Sequence, residues 1–443
     1  MRVRWLLVFT LLVTLLGNFG VTRATSAAPA NAAPAPAVAT CTPYPQTSGA
    51  TWKICLPADW DLNPVQNVVV LAHGYVVPGD PLTYQDTLAD GTGTPMADII
   101  TGLGAALITS TYPRNGLVVL DAKADLVALV NYFTSLYPKT PTRKVYLAGF
   151  SMGGLIAAQL AEENTGKFDG ALVACGIVGN FRREINYWGN FNLLYRAMFP
   201  GVVASPPVST TTSITWTTTY SPSIRAAASA NITATQQLLT LAKAPVVTDT
   251  YTTTLQTGAA TLEQLAYFSF LSAEESAIRL GGNPFGNRGY WYWGSSNDLY
   301  LNRHIPRVTA SPAALLEMQK YDTTGKPTIP VVAIHTTLDP VVPVGQSLLY
   351  YAKSQLALNT NVTPLLAAQY GHCSFTQAQV IEAFGMLTYK VTGGPLASLQ
   401  AASTFMSPVE MAAEVQKFTA LEAVEAAQQL HVLTTTYLPL VVR

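Results

Sequence analysis

The chain has 443 residues, of which 49% are hydrophobic and only 11% are charged. Lysine and arginine together number 25, as do aspartate and glutamate, so the formal net charge is zero. Without a basic excess, we predict no binding to nucleic acid or to an anionic membrane surface, and the neutral balance fits an uncharged or weakly charged substrate.

The first 40 residues predict export. Two arginines precede a short apolar run at 5–16, and small residues follow at 24–28, which is the order of a cleavable secretory signal. We assign residues 1–28 to a signal peptide and the Ala/Pro-rich residues 29–40 to a linker. An uncleaved N-terminal anchor is the alternative. We expect a secreted protein, free or associated with the cell surface, with no stable membrane insertion after signal cleavage.

The chain has four cysteines, and in an exported protein an even number of cysteines favours disulfides. Cys41 and Cys55 lie close together in the sequence and flank a turn at 46–49. We predict that these two cysteines pair. Cys175 and Cys373 are the other two.

Short apolar strands alternate with helical patterns over residues 41–176 and 326–392. Uninterrupted apolar runs predict buried strands at 68–72, 105–109, 144–148, 171–175, 330–335 and 365–370. Helical spacing predicts helices at 122–137, 152–162, 346–356 and 376–388. Apolar strands that are separated by helices indicate an α/β fold with a mostly parallel, doubly wound sheet that is covered on both faces.

The alternation is lost between residues 177 and 325. This segment has a Ser/Thr-rich run at 209–220 and aromatic clusters at 187–195 and 290–293. We predict an inserted, largely helical cap over the sheet, with a separate binding domain as the alternative. Residues 393–443 form a further segment, with a helical stretch near 409–430 and then an apolar tail.

The sequence Gly-Phe-Ser-Met-Gly at 149–153 lies between a predicted strand and an Ala-rich predicted helix. A sharp strand-to-helix turn needs glycines two residues before and two residues after the central serine, and it exposes the serine hydroxyl above free N–H groups of the helix. We predict that Ser151 is a nucleophile. The alternative is an ordinary glycine turn.

A serine hydroxyl needs a base and an acid to activate it. Of the five histidines, His372 follows the last apolar strand and comes late enough for the order serine, acid, histidine. Asp339 follows the strand that begins near residue 330, so we predict Asp339 as the acid. Asp322 is a rival that precedes the strand, and a turn role before Pro340 is the alternative for Asp339.

A tetrahedral intermediate requires two N–H donors for its oxyanion. Met152 supplies one from the serine turn. The loop after strand 68–72 reads His73-Gly74-Tyr75, and we predict the Tyr75 N–H as the second donor, with His73 ordering the loop.

These motifs resemble the α/β-hydrolase superfamily over about residues 51–392, in the branch of secreted esterase- and lipase-like serine hydrolases. The matching pieces are His73-Gly74-Tyr75, Gly149 to Gly154, Asp339-Pro340 and Gly371-His372. The resemblance implies an α/β-hydrolase fold whose cap follows the sixth strand. In this fold the strand that ends at Cys175 lies near the acid and histidine loops, so the resemblance implies a Cys175–Cys373 disulfide, with two buried free thiols as the alternative.

We therefore predict carboxylic ester hydrolysis through an acyl-enzyme, on a small-molecule or polymeric ester with a hydrophobic acyl or aryl group. No metal or organic cofactor is implied. A serine peptidase of the prolyl-peptidase type is a second hypothesis, in which Arg182, Arg183 or Glu184 would recognise a free terminus. A non-catalytic, hydrolase-like adhesion domain is the third.

Overall fold

Residues 39–203, 210–394 and 404–420 are described by the computed structural model. The predicted signal peptide (1–28) and most of the predicted linker lie outside the described residues, as does the tail beyond residue 420. Within the described ranges, no helix has the length and apolar character that a membrane crossing requires.

Eight strands form one sheet in the spatial order β1-β2-β4-β3-β5-β6-β7-β8. The strands are β1 (Thr40–Pro45), β2 (Thr51–Leu56), β3 (Val68–Ala72), β4 (Ala106–Ser110), β5 (Val145–Phe150), β6 (Gly170–Ala174), β7 (Val331–Leu338) and β8 (Val362–Tyr370). β2 pairs antiparallel with β1 and β4, and the other neighbouring strands are parallel. The predicted mostly parallel sheet is confirmed.

Helices cover both faces of this sheet. In the described part of the chain, the helices are α1 (Met96–Gly102), α2 (Val119–Leu136), α3 (Met152–Glu162), α4 (Phe181–Met198), α5 (Ser213–Thr215), α6 (Ser221–Ala230), α7 (Ile232–Ala242), α8 (Tyr251–Tyr267), α9 (Ala273–Arg279), α10 (Asp298–His304), α11 (Pro312–Met318), α12 (Gly345–Leu356) and α13 (Gln377–Thr392). α1 and α13 pack on one face, and α2, α3 and α12 pack on the other. The doubly wound arrangement is confirmed.

The strands are continuously apolar because each face of the sheet is buried. In β3, Val68 and Val70 pack with α2 and α3, whereas Val69 and Leu71 pack on the face of α1. The register pairs Ala72 of β3 with Gly149 of β5. The chain therefore leaves these two strands at the same edge of the sheet.

The segment between β6 and β7 is largely helical and carries α4 to α11, as the fold prediction stated. The Ser/Thr-rich run is itself helical: α5 continues into a π-helical turn at Trp216–Tyr220 and then into α6. A second π-helical turn, Phe268–Ser272, links α8 to α9. The limits assigned to the cap (177–325) and to the two core segments stay predictions.

Three elements were not predicted from the sequence: β1, β2 and α1. Most of β1 is exposed at the edge of the sheet, so it has no apolar alternation to reveal it. Thr40 begins β1, which corrects the predicted linker by one residue. Helical structure at 408–420 agrees with the predicted stretch near 409–430 as far as the described residues extend.

Candidate active site

Ser151 lies in the sharp turn between β5 and α3. Its φ of 57° and ψ of −123° are sparsely populated for a residue with a side chain. A Cβ on Gly149 would lie 2.0 Å from the Gly153 carbonyl oxygen, and a Cβ on Gly153 would lie 2.0 Å from the Ala72 oxygen. Only glycine fits at these two positions, so the spacing seen in the sequence has a steric cause.

The structure brings Ser151, His372 and Asp339 together. His372 Nε2 lies 2.8 Å from Ser151 Oγ, and His372 Nδ1 lies 2.8 Å from Asp339 Oδ2. Asp339 is fully buried, and the amides of Val341 and Val342 both donate to its Oδ1 at 2.9 Å. The carboxylate is therefore held from both sides and presents one oxygen to the imidazole. The catalytic roles of these residues stay predictions.

Asp322, the rival acid, lies elsewhere. Its Oδ1 accepts a hydrogen bond of 2.9 Å from the amide of Phe181, the first residue of α4. Asp322 thus satisfies a free helix N–H at the base of the insertion.

The loop that carries His372 is anchored to the sheet by several contacts. Gly371 has a φ of +115°, which a residue with a side chain rarely adopts. The hydroxyl of Thr336 in β7 donates to the Gly371 carbonyl at 2.6 Å. On the other side of the histidine, Cys373 is joined to Cys175, which directly follows β6. These contacts fix the position from which the imidazole projects.

Both predicted disulfides are present in the structure. Cys41–Cys55 links directly paired residues of β1 and β2, and Cys175–Cys373 links the end of β6 to the histidine loop. Both residues of the second disulfide have positive φ, 45° at Cys175 and 53° at Cys373. Backbone strain of this kind is found at functional sites, and here it adjoins the strained Ser151.

Met152 and Tyr75 both lie beside the serine. Met152 is the first residue of α3, so its N–H has no acceptor within the helix. A Cβ on Gly74 would be 3.3 Å from the Ser151 Cβ, so glycine lets the backbone before Tyr75 approach the serine closely. The oxyanion role of these two amides stays a prediction.

His73 and His335 are buried and are not bonded to the serine. His73 Nδ1 donates to the Gly74 carbonyl at 2.8 Å, and its ring stacks on Tyr112 with centroids 4.0 Å apart. Burial lowers the pKa of His73 to about 4, so the ring is neutral near neutral pH. His73 therefore orders the loop between β3 and Tyr75 as a neutral group.

Two buried titratable groups beside Asp339 are driven to their neutral forms. Burial lowers the pKa of His335, whose Nε2 donates to the Val342 carbonyl at 2.8 Å and lies 3.6 Å from Asp339 Oδ2. Burial raises the pKa of Glu184 well above its usual value, and the nearby Asp339 acts in the same direction. Neither of these two neighbours therefore supplies a cation beside Asp339.

Two residues that contact the loop after Asp339 (residues 340–342, the acid loop) were not predicted from the sequence. In α4, the Tyr187 hydroxyl donates to the Pro340 carbonyl at 2.8 Å, and Trp188 Nε1 donates to the Val341 carbonyl at 3.0 Å. The inserted helix is therefore bonded to the residues that follow Asp339. The aromatic cluster at 187–195 was the only signal, and it indicated a cap without indicating this contact.

Phe268 belongs to the inserted segment and lies over the site. It too was not predicted from the sequence. Its ring contacts the His372 ring edge-on at 6.2 Å and stacks on Trp188 at 5.7 Å between centroids. Phe268, Tyr75 and Ser151 line two cavities of about 340 Å³ and about 30 Å³, which meet at the serine.

The charged residues considered for a peptidase do not face the serine. Glu184 is 1% exposed, and its Oε2 accepts a hydrogen bond of 2.9 Å from Gln346. Arg183 lies over the ring of Phe418. Arg182, Arg183 and Glu184 are absent from the lining of both cavities, as far as the described residues extend.

One group of potential metal ligands, Cys175, His372 and Cys373, lies within 4.8 Å in the described part of the chain. Both sulfur atoms are joined in the disulfide. Because a soft metal ion requires thiolates, this group does not form a metal site in its oxidised state.

A family model described as "alpha/beta hydrolase fold" matches residues 110–379, which is more than half of the chain. A search of curated protein sequences found no match.

Among solved structures, the chain is similar to an esterase of Pyrococcus furiosus, at 13% identity, with 79% of this chain and 91% of that chain covered and a TM-score of 0.41. It is similar to the acylaminoacyl peptidase of Pyrococcus horikoshii at 9% identity, covering 82% and 44% of the two chains, with a TM-score of 0.43. It is also similar to the rice cell wall degrading esterase of Xanthomonas oryzae, at 12% identity, with 77% of this chain and 85% of that chain covered and a TM-score of 0.37.

Proposed function

Because the chain belongs to the α/β-hydrolase fold family, we propose that it is a serine hydrolase that cleaves carboxylic esters. Ser151 is the nucleophile, His372 is the general base and then the general acid, and Asp339 orients the imidazole. The amides of Met152 and Tyr75 form the oxyanion hole. The substrate is a small-molecule or polymeric ester with an apolar acyl or aryl group.

One observation carries this proposal: the His372 imidazole lies 2.8 Å from both Ser151 Oγ and Asp339 Oδ2. These are hydrogen-bonding distances at which a proton can pass from the hydroxyl to the imidazole. Because burial lowers the pKa of the neighbouring His335, that imidazole is neutral and does not compete with His372 for the carboxylate of Asp339. The rings of Phe268 and Trp188 beside the serine support an apolar substrate group.

In the acylation half of the reaction, Ser151 Oγ attacks the ester carbonyl carbon while its proton moves to His372 Nε2. The carbonyl oxygen becomes an oxyanion that accepts hydrogen bonds from the Met152 and Tyr75 amides, and losing one such donor typically costs about 3 kcal/mol. His372 then gives its proton to the leaving alkoxide oxygen. The carbon–oxygen bond breaks, the alcohol departs and the acyl group stays on Ser151.

In the second half, a water molecule replaces the alcohol. His372 Nε2 takes a proton from this water as the water oxygen attacks the acyl carbon. The second tetrahedral intermediate collapses, the proton returns to Ser151 Oγ, and the carboxylic acid leaves. Asp339 holds the Nδ1–H tautomer throughout, so Nε2 is always the nitrogen that exchanges the proton.

The test is a panel of p-nitrophenyl esters measured beside aminoacyl p-nitroanilides. We expect hydrolysis of esters by the natural chain, loss of that activity in Ser151→Ala, and retention in the matched control Ser135→Ala, which changes an exposed serine. Faster turnover of the anilides would favour a peptidase. Full ester hydrolysis by Ser151→Ala would exclude the assigned nucleophile.

We also propose that the protein is exported and that residues 1–28 are its signal peptide. Two disulfides support this location, because such bonds persist in oxidising compartments. The N-terminal residue of protein recovered outside the producing cells tests this proposal. We expect a start at or just after the small residues 24–28, and a chain that begins at Met1 would contradict it.

A further inference from the structure

The two cavities that meet at Ser151 differ greatly in size. The larger, about 340 Å³, opens to solvent past the exposed residues Gln85, Thr87 and Ala89. The smaller, about 30 Å³, is lined by buried, mainly apolar side chains. These include Leu117, Met152, Leu155, Ile177, Phe181 and Trp188.

The proton path decides which cavity receives which half of an ester. The departing alcohol oxygen must take its proton from His372 Nε2, so the alcohol lies on the histidine side of the serine. His372 lines the larger cavity and, among the described residues, is not part of the lining of the smaller one. The acyl group, which stays bonded to Ser151 after the alcohol leaves, then occupies the smaller cavity.

The volume of the smaller cavity limits the acyl group. At about 30 Å³ against about 340 Å³, the smaller cavity has less than a tenth of the volume of the larger one, so it accommodates a much shorter group. A cavity this small favours the short alkyl groups of acetyl and propionyl esters. The walls leave little freedom to expand, because Leu155 and Phe181 belong to the buried core of the sheet and α4.

We propose that this site is selective for short acyl groups, acetyl or propionyl, carried by a bulky alcohol that extends through the larger cavity. The inference rests on the proposed ester hydrolysis and adds the direction in which the substrate lies. Ile177 closes the acyl side, and Phe268 forms the wall shared by the two sides.

The test measures kcat/KM for p-nitrophenyl acetate, butyrate, hexanoate and octanoate. We expect a decline of at least about tenfold between the acetate and the hexanoate, because methylenes that do not fit a pocket are discriminated by such factors. We expect α-naphthyl acetate also to be hydrolysed, since the larger cavity has room for either ring.

Ile177→Ala opens the acyl side and should raise the hexanoate-to-acetate ratio of kcat/KM by about tenfold. Leu88→Ala is the matched control: it trims a buried apolar side chain of the larger cavity and should leave that ratio unchanged. If Ile177→Ala does not fold, Ile177→Val provides the same comparison with a smaller change.

A wild-type preference for hexanoate or octanoate would overturn the inference, as would a ratio that responds to Leu88→Ala and not to Ile177→Ala. In both cases ester hydrolysis by Ser151 would still stand. If no ester is hydrolysed and a fluorophosphonate probe leaves Ser151 unlabelled, the proposed function and this inference fail together.

Discussion

Asp339 has no exposed surface, and both of its carboxylate oxygens have partners. Oδ1 accepts the amides of Val341 and Val342, and Oδ2 faces His372 Nδ1. A side chain held in this way can stabilise only one imidazole tautomer, the one with the proton on Nδ1. The position is therefore sensitive to substitutions that keep the shape and change the hydrogen-bonding pattern.

For Asp339→Asn, we expect kcat for an ester to fall by about a thousand- to ten-thousand-fold, because an amide NH₂ facing His372 favours the wrong tautomer. Steady-state kinetics measures the change. The matched control is Asp322→Asn, which keeps an oxygen that can accept the Phe181 amide. A larger loss in the control than in Asp339→Asn would assign the acid role to Asp322.

His73 makes the stability of the fold depend on pH. Below pH 6.5 the unfolded chain binds a proton at this residue, whereas the folded chain binds it only at about pH 4. The free energy of unfolding should therefore decrease as the pH falls from 6.5 to about 4, by about 3 kcal/mol from this residue. Above pH 6.5 the imidazole is neutral in both states, and the full stability is present.

Urea unfolding at several pH values measures this dependence. We expect His73→Asn to be less sensitive to acid than the natural chain, and the control His304→Asn, at an exposed histidine, to keep the natural slope. Equal slopes for His73→Asn and the natural chain would show that His73 does not contribute.

Individual site residues can be predicted from the sequence where the chemistry or the steric fit requires one residue type. The glycines around Ser151 and the chain order of Asp339 and His372 predict residues that lie together in the structure. Phe268 and Tyr187 could not be predicted in the same way. Their positions depend on contacts between the insertion and loops far away in the sequence, and an aromatic residue in a helix carries no sign of its partner.

At the scale of elements, α4 is bonded to the acid loop as well as packed beside it. Tyr187 and Trp188 bind the carbonyls of Pro340 and Val341. Gln346 of α12 accepts the amides of Gly179 and Asn180 at 2.8 Å through its Oε1. The start of the insertion is thus a fixed part of the site, and it restrains the loop that positions Asp339.

Tyr187→Phe and Trp188→Phe each remove one donor to this loop. We expect each variant to lose about 1 kcal/mol of unfolding free energy and roughly tenfold in kcat, with a smaller change in KM, because the acid loop is less well positioned. Denaturant unfolding and steady-state kinetics measure the two effects. Tyr300→Phe, at an exposed tyrosine, is the control. Unaltered kcat in both variants would limit α4 to a packing role.

Strands with an uninterrupted apolar run were predicted from the sequence, whereas the exposed edge strand β1 was missed. β3 and β5 are short apolar runs because they are covered on both faces. β1 has two prolines and mostly exposed residues, so its place in the sheet depends on pairing with β2 and on the Cys41–Cys55 disulfide. These are partners that a local pattern does not contain.

At the scale of the whole molecule, the two disulfides have different structural roles. Cys41–Cys55 closes a loop of 14 residues within an edge hairpin, whereas Cys175–Cys373 connects positions 198 residues apart and adjoins His372. Cross-links restrict the unfolded chain more when the loop is longer. The second disulfide therefore couples the stability of the fold to the geometry of the site.

We expect the double variant Cys41→Ala/Cys55→Ala to lose about 3 kcal/mol of unfolding free energy and to keep the natural kcat/KM. Cys175→Ala/Cys373→Ala should lose more stability and also lose activity, because the histidine loop is released from β6. Thermal unfolding and ester kinetics on both double variants test this contrast. Equal activity in the two variants would contradict the anchoring role of the second disulfide.

The proposed mechanism depends above all on Ser151 as the nucleophile, and intact-mass spectrometry after exposure to a fluorophosphonate measures this most directly. We expect a single adduct, located by peptide mapping on Ser151, with no adduct in Ser151→Ala and strongly slowed labelling in His372→Ala. An unlabelled natural chain, or an adduct that persists in Ser151→Ala, would contradict this mechanism.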